Sequence, residues 1–273
     1  MNILSQAPEL MSSTERVVLL DVRWKLGGPP GREEYLAGHI PGAVFVELEA
    51  ELSALGEPQD GRHPLPSVES LQAAARRWGI RDGDGVVAYD DNGGLAAARA
   101  WWLLRWAGFD DVRLLDGGLA AWVAAGGVLE TDDVVPEPGD VTLEGGRLET
   151  IDVDGAAAYA GVLLDARAAE RYAGEVEPID PKAGHIPGAV SAPTTDNLAD
   201  DGRFLPATEL RRRFEALGVR DGGEVAAYCG SGVTAAHEVA ALAIAGFDAA
   251  LYPGSWSQWS NLDDRPVATG AAP

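Results

Sequence analysis

The seven residues Gly38-His39-Ile40-Pro41-Gly42-Ala43-Val44 return letter for letter as Gly184-His185-Ile186-Pro187-Gly188-Ala189-Val190, and no other feature constrains the fold as much. Four more landmarks keep the same order in both halves. Val17-Val18-Leu19-Leu20-Asp21-Val22-Arg23 matches Gly161-Val162-Leu163-Leu164-Asp165-Ala166-Arg167, and Val86-Val87-Ala88-Tyr89 matches Val225-Ala226-Ala227-Tyr228. Ala107-Gly108-Phe109-Asp110 answers Ala245-Gly246-Phe247-Asp248, and Gly117-Gly118-Leu119 with Trp122 answers Gly254-Ser255-Trp256 with Trp259. Ordered matches of this kind in a chain of 273 residues mean one domain written twice. The expected division is 1–133, a linker at 134–147, and 148–273. The linker stretch carries Pro136, Pro138, Gly139, Gly145 and Gly146 without helical periodicity, so it is expected to run along the surface.

Within the first copy, short apolar runs alternate with helix-period segments. Strands are expected at 17–22, 43–46, 86–90 and 112–115, with helices at 68–78 and 96–107. Alternation of this type predicts an α/β fold, a parallel sheet in each copy with helices on both faces. Ligands of such sheets bind beyond the carboxyl ends of the strands.

One stretch places chemistry there. The strand-length run Val225-Ala226-Ala227-Tyr228 leads into Cys229-Gly230-Ser231-Gly232-Val233-Thr234 and then a helix-period segment from Ala235. Two glycines let the loop curl so that backbone N–H groups point inward, and the positive end of the helix follows. Both features favour a thiolate at Cys229.

Composition bounds the rest. The 21 Lys and Arg stand against 43 Asp and Glu, a formal net charge of −22, so nucleic acid and anionic membrane surfaces would be repelled. A single cysteine excludes an internal disulfide and any cysteine-rich zinc site, and points to a reducing, cytoplasmic setting. No basic residue precedes Arg16, unlike the charged start of a signal peptide. The most apolar helical stretch, 95–109, is interrupted by Arg99 and Arg105 and is too short to span a membrane.

The run CGSGVTA resembles the active-site loop of the rhodanese superfamily, and its CGSGVT form resembles the mercaptopyruvate sulfurtransferase branch more than the thiosulfate branch, whose loop carries basic residues after the cysteine. With the repeats and the two GHIPGA segments, the resemblance covers the chain from about Val17 to Trp259 and implies two tandem rhodanese-like domains. It implies sulfur transfer from 3-mercaptopyruvate through a Cys229 persulfide to a thiol such as thioredoxin, a small thiol, or cyanide. Pyruvate would leave, with no metal or organic cofactor. Gly230, Gly232 and Val233 would cradle the donor, while Ser231 and Thr234 would supply hydroxyls. Because GHIPGA occurs twice, His39 and His185 read first as structural turn residues; the branch also implies that a first-copy histidine, here His39, acts on Ser231, with no clear match for its acidic partner, Glu33 and Glu34 being nearest.

The two copies serve as controls for each other. Asp90 stands where the second copy has Cys229, and a carboxylate cannot carry a persulfide, so the first copy is expected to be catalytically silent. Asp21/Arg23 and Asp165/Arg167 occur in both and read as structural pairs. Arg171 stands where the first copy has Gly27, and by resemblance it would bind the donor carboxylate through its two-pronged guanidinium. Trp256, opposite Leu119, is expected either to wall the pocket or to be a core aromatic. Rival readings are a thiosulfate:cyanide sulfurtransferase and a non-enzymatic sulfur carrier or binding module. A cysteine phosphatase needs an arginine six residues after the cysteine, and position 235 is alanine.

Overall fold

The computed structural model of the chain describes residues 2–273 and divides into two compact units. Unit 1 takes in the chain up to Ala54, then Pro66–Leu148 and Asp200–Phe204; unit 2 takes in Leu55–Leu65, Glu149–Ala199 and Leu205–Pro273. The stretch 134–147 is therefore not a bare linker. Val141 and Leu143 are buried, and the N–H groups of Gly139, Glu144 and Arg147 donate to the carbonyls of Arg76, Ala107 and Trp106 at 2.7, 2.9 and 2.9 Å. Proline and glycine excluded a helix there without excluding docking.

In unit 1 the strands are β1 (Leu4–Ser5), β2 (Val17–Asp21), β3 (Val44–Phe45), β4 (Gly85–Tyr89) and β5 (Val112–Leu115). They form one parallel sheet in the order β1-β5-β4-β2-β3. Its helices are α1 (Ala7–Ser12), α2 (Gly31–Ala37), α3 (Leu48–Glu51), α4 (Val68–Arg77), α5 (Ala97–Trp106) and α6 (Gly118–Ala124). In unit 2 the helices are α7 (Val153–Ala157), α8 (Ala169–Tyr172), α9 (Ala207–Ala216), α10 (Thr234–Ile244) and α11 (Ser255–Ser260). Its strands β6 (Val162–Asp165), β7 (Val190–Ser191), β8 (Val225–Tyr228) and β9 (Ala250–Leu251) form a parallel sheet ordered β7-β6-β8-β9. Where unit 1 has β1 paired to β5, unit 2 has only a bridge between Thr150 and Leu251.

Every residue of β4 and β8 is buried, as an unbroken Val/Ala/Tyr run requires when helices cover both faces. The repeated landmarks make the same contacts in each unit. The Tyr89 hydroxyl accepts from Ile40 N–H at 3.0 Å and the Tyr228 hydroxyl from Ile186 N–H at 3.2 Å, tying the end of the central strand to GHIPGA. Arg23 and Arg167 each hold the preceding aspartate and donate at 2.6 Å to the carbonyls of Gly38 and Gly184. Gly42 and Gly188 turn the chain at φ +77° and +83°, where a side chain would be strained. Among the described residues, no helix is long and apolar enough to cross a membrane.

Candidate functional site

Cys229 follows the last residue of β8 and is buried. Gly232 N–H donates to its Sγ at 3.1 Å, and α10 begins at Thr234 without a side-chain cap, so first-turn N–H groups face the loop. Gly232 has φ +79°, and a Cβ there would collide with the Pro253 carbonyl. Only glycine allows that turn.

The loop is fastened from below by α11. Trp256 N–H donates to the Cys229 carbonyl at 3.0 Å and Ser257 N–H to the Gly230 carbonyl at 2.8 Å. Cys229 N–H donates to Ser255 Oγ at 3.1 Å, and that hydroxyl donates to the Tyr252 carbonyl at 2.9 Å. Ser255 sits at φ +53°, a conformation costing a non-glycine residue about 1 kcal/mol, which these two bonds help to hold.

The equivalent loop of unit 1 holds an acid in place of sulfur. Asp90 is fully buried, and its two oxygens accept N–H groups of Asn92, Gly94, Ala96 and Ala97 at 2.8, 2.8, 2.8 and 3.0 Å. Burial pushes this carboxyl up while the four donors oppose it. The loop in unit 1 is filled by its own side chain.

Around Cys229 the sequence expectations meet the structure unevenly. Arg171 lies beside the loop: a Cβ added to Gly230 would stand 3.5 Å from its Nη1 and 3.2 Å from Nη2 of a second arginine, Arg62. Neither Nε has a hydrogen-bond partner among the described residues, although both are buried. Val233 is buried, and Thr234 is half-buried at the start of α10.

Two expectations require correction. Trp256 is wholly buried in the core, its indole N–H bonded to the Lys182 carbonyl at 3.0 Å and its ring covered by the Arg167 guanidinium at 4.5 Å. It supports the loop and does not wall a pocket. The histidine that meets Ser231 is His63, whose Nδ1 lies 2.8 Å from Ser231 Oγ. His39 is instead stacked on Tyr35 at 3.8 Å, with Nδ1 2.9 Å from the Tyr35 carbonyl and Nε2 3.4 Å from Glu130. His185 repeats that stack on Tyr172, which marks the pattern as part of the shared scaffold.

Arg62 and His63 reach the site because Leu55–Leu65 belongs to unit 2. A 3-10 turn at Pro58–Asp60 closes with a capping box between Glu57 and Asp60; Arg62 N–H then donates to Ser257 Oγ at 3.0 Å, and Gln258 donates to the Gln59 carbonyl at 2.9 Å. A sequence signal for His63 existed. Asp60-Gly61-Arg62-His63 is answered in the second copy by Asp201-Gly202-Arg203-Phe204, so the histidine is unique to one copy.

The arginines are links in an alternating chain of charge. Asp165 pairs with Arg167, Arg167 with Glu177 at 3.4 Å, Glu177 with Arg171 at 2.7 Å, Arg171 with Asp180 at 3.2 Å, and Asp180 with Arg62. Three guanidinium groups and three carboxylates cancel. Glu177 and Asp180 are buried, and burial pushes the Asp180 carboxyl up even against Arg62.

A second buried acid lies in α10 itself. Glu238 accepts from Asn197 at 2.7 Å and Arg213 at 3.2 Å, and burial raises its carboxyl to about 7. The folded protein therefore keeps a proton that the unfolded chain releases. The stabilisation from this group is fully present below the ordinary glutamate range and is lost as pH rises through about 7. It amounts to something on the order of 3 kcal/mol. Glu238→Gln should flatten the fall of melting temperature between about pH 5 and 7; an unchanged slope would show that Glu238 is not the titrating group.

A parallel-sheet unit with a cysteine loop at its strand end, present once as cysteine and once as aspartate, defines the class. The chain belongs to the rhodanese family: the model for the rhodanese-like domain matches residues 5–125 and 148–262. The chain is 51% identical to SseB of Mycobacterium tuberculosis, provisionally named a thiosulfate sulfurtransferase, over 99% of this chain and 98% of that protein. It is also 51% identical to a protein of Pseudomonas aeruginosa provisionally named a 3-mercaptopyruvate sulfurtransferase, over 93% of each. Among solved structures it resembles the 3-mercaptopyruvate sulfurtransferase of Leishmania major with a TM-score of 0.86 and 29% identity, covering 97% of this chain and 76% of that one. The protein is a sulfurtransferase with tandem rhodanese-like domains.

Proposed function

We propose that this sulfurtransferase takes sulfur from 3-mercaptopyruvate onto Cys229, releases pyruvate and passes the sulfur to a thiol or to cyanide. The Cys229 thiolate attacks the donor sulfur, the carbon–sulfur bond breaks, and its electron pair leaves with the three-carbon fragment as the pyruvate enolate. Protonation of that enolate gives pyruvate. An acceptor thiolate then attacks the outer sulfur of the persulfide and restores Cys229. Splitting the exchange in two lowers each barrier.

The hydrogen bond between Ser231 and His63 carries the choice of donor. An enolate leaving group needs a proton, and a hydroxyl held by an imidazole two residues after the nucleophile can supply one; sulfite leaving from thiosulfate does not need it. Nη2 of Arg62 and Nη1 of Arg171 flank Gly230, which suits the donor carboxylate. The four N–H groups on Asp90 indicate what such a loop offers a charged terminal atom, in this case the outer sulfur of a persulfide. Thiosulfate is the second reading, favoured by Arg62, a cation close to the loop, and by the name of the mycobacterial relative. The acceptor is a thiol, from thioredoxin or a small molecule, and the setting cytoplasmic.

Turnover with the two donors side by side tests this reading. The wild type should be faster with mercaptopyruvate, and Ser231→Ala and His63→Ala should each slow that donor by about a hundredfold while affecting thiosulfate far less. A wild type faster with thiosulfate would overturn the donor assignment. Equal losses for both donors would remove Ser231 from proton transfer.

A further inference from the structure

We propose that Asp180 selects donors by charge, disfavouring dianions by offsetting the positive charge of the two guanidinium groups beside Gly230. The proposal rests on the reading that the donor's anionic group lodges against Arg62 and Arg171. Among the described residues, Asp180 is the one carboxylate that touches both: Oδ1 accepts from Arg62 Nη1 and Oδ2 from Arg171 Nη2. That leaves Nη2 of Arg62 and Nη1 of Arg171 nearest Gly230. The other acid, Glu177, divides its oxygens between Arg171 and Arg167, and Arg167 is already paired with Asp165. Asp180 therefore draws the two donor-facing guanidinium groups together and offsets their charge.

The consequence depends on the charge of the incoming group. The side chain of Asp180 is 2% exposed, so water screens its repulsion poorly. Repulsion scales with donor charge: thiosulfate carries two negative charges and mercaptopyruvate one, so Asp180 disfavours the first about twice as strongly in free energy. Where the thiosulfate branch carries basic residues after the cysteine, this loop has the uncharged Gly230 and Ser231. The structure adds a buried acid behind the arginines.

Asp180→Asn preserves the shape and removes the charge. In the full chain, the ratio of kcat/KM for thiosulfate to that for mercaptopyruvate should rise about tenfold or more, chiefly through a lower KM for thiosulfate. Asp180→Glu should keep the wild-type ratio. A binding measurement needs no variant: calorimetry on the wild type should find pyruvate bound more tightly than inorganic sulfate. Equal changes for both donors in Asp180→Asn, or tighter binding of sulfate than pyruvate by the wild type, would overturn the proposal. A wild type that prefers thiosulfate would overturn the donor assignment separately, because the shift caused by Asp180→Asn is read relative to the wild type whichever donor leads.

Discussion

Cys229→Ser is expected to bring sulfur transfer to the uncatalysed rate with either donor while leaving the melting temperature nearly unchanged. A hydroxyl fits the space of the thiol and can accept the Gly232 N–H, but it does not ionise near neutral pH and cannot hold sulfur as a persulfide. The matching change in unit 1 must be chosen with its geometry in view. Asp90→Ala would leave four buried N–H groups without an acceptor, each costing about 1–3 kcal/mol, so its loss of activity would report unfolding. Asp90→Asn keeps one acceptor oxygen for two of the four N–H groups and is the milder control, read together with its melting temperature. It should turn over nearly as the wild type does, and a loss as large as that of Cys229→Ser would mean that unit 1 takes part in the chemistry.

The second large effect belongs to the arginines. Arg62→Ala and Arg171→Ala should each raise the KM for mercaptopyruvate by about one to two powers of ten, since a charged hydrogen bond is worth roughly 1.5–3 kcal/mol. Their kcat values should change little, because the carboxylate is remote from the breaking bond. Arg171→Ala also takes one of two cationic partners from each of the buried acids Glu177 and Asp180, so its melting temperature should fall. Arg171→Lys separates the two roles: it restores the charge without the fork, recovering stability more fully than KM. Unchanged kinetics in both alanine variants would confine the pair to the ladder of charges.

The repeat made the architecture legible because each landmark does the same structural work twice. The Tyr–Ile and Arg–Gly bonds recur in both units, and the expected strands of unit 1 fall within a residue or two of those observed. The strand β1 escaped notice because two residues carry no periodicity, and its pairing with β5 spans most of a domain. Differences between the copies were the better guide to chemistry: Cys229 against Asp90, and Arg171 against Gly27. Applied to His63 against Phe204, the same comparison points to the partner of Ser231. Resemblance suggested His39, whose place in a stacked motif common to both units leaves it a structural role. Arg62, Glu177 and Asp180 were hidden for another reason. Arg62 and Asp180 meet across 118 positions, and Glu177 pairs with nearby arginines in a stretch that carries no periodicity.

Mass spectrometry of the intact protein after a single loading with mercaptopyruvate, with pyruvate measured in the same sample, tests the account most directly. The prediction is the mass of one added sulfur atom, located at Cys229, one equivalent of pyruvate released, and loss of the added mass when thiol is supplied. Pyruvate release and sulfur transfer under continuous turnover, with Cys229 never modified, would contradict it.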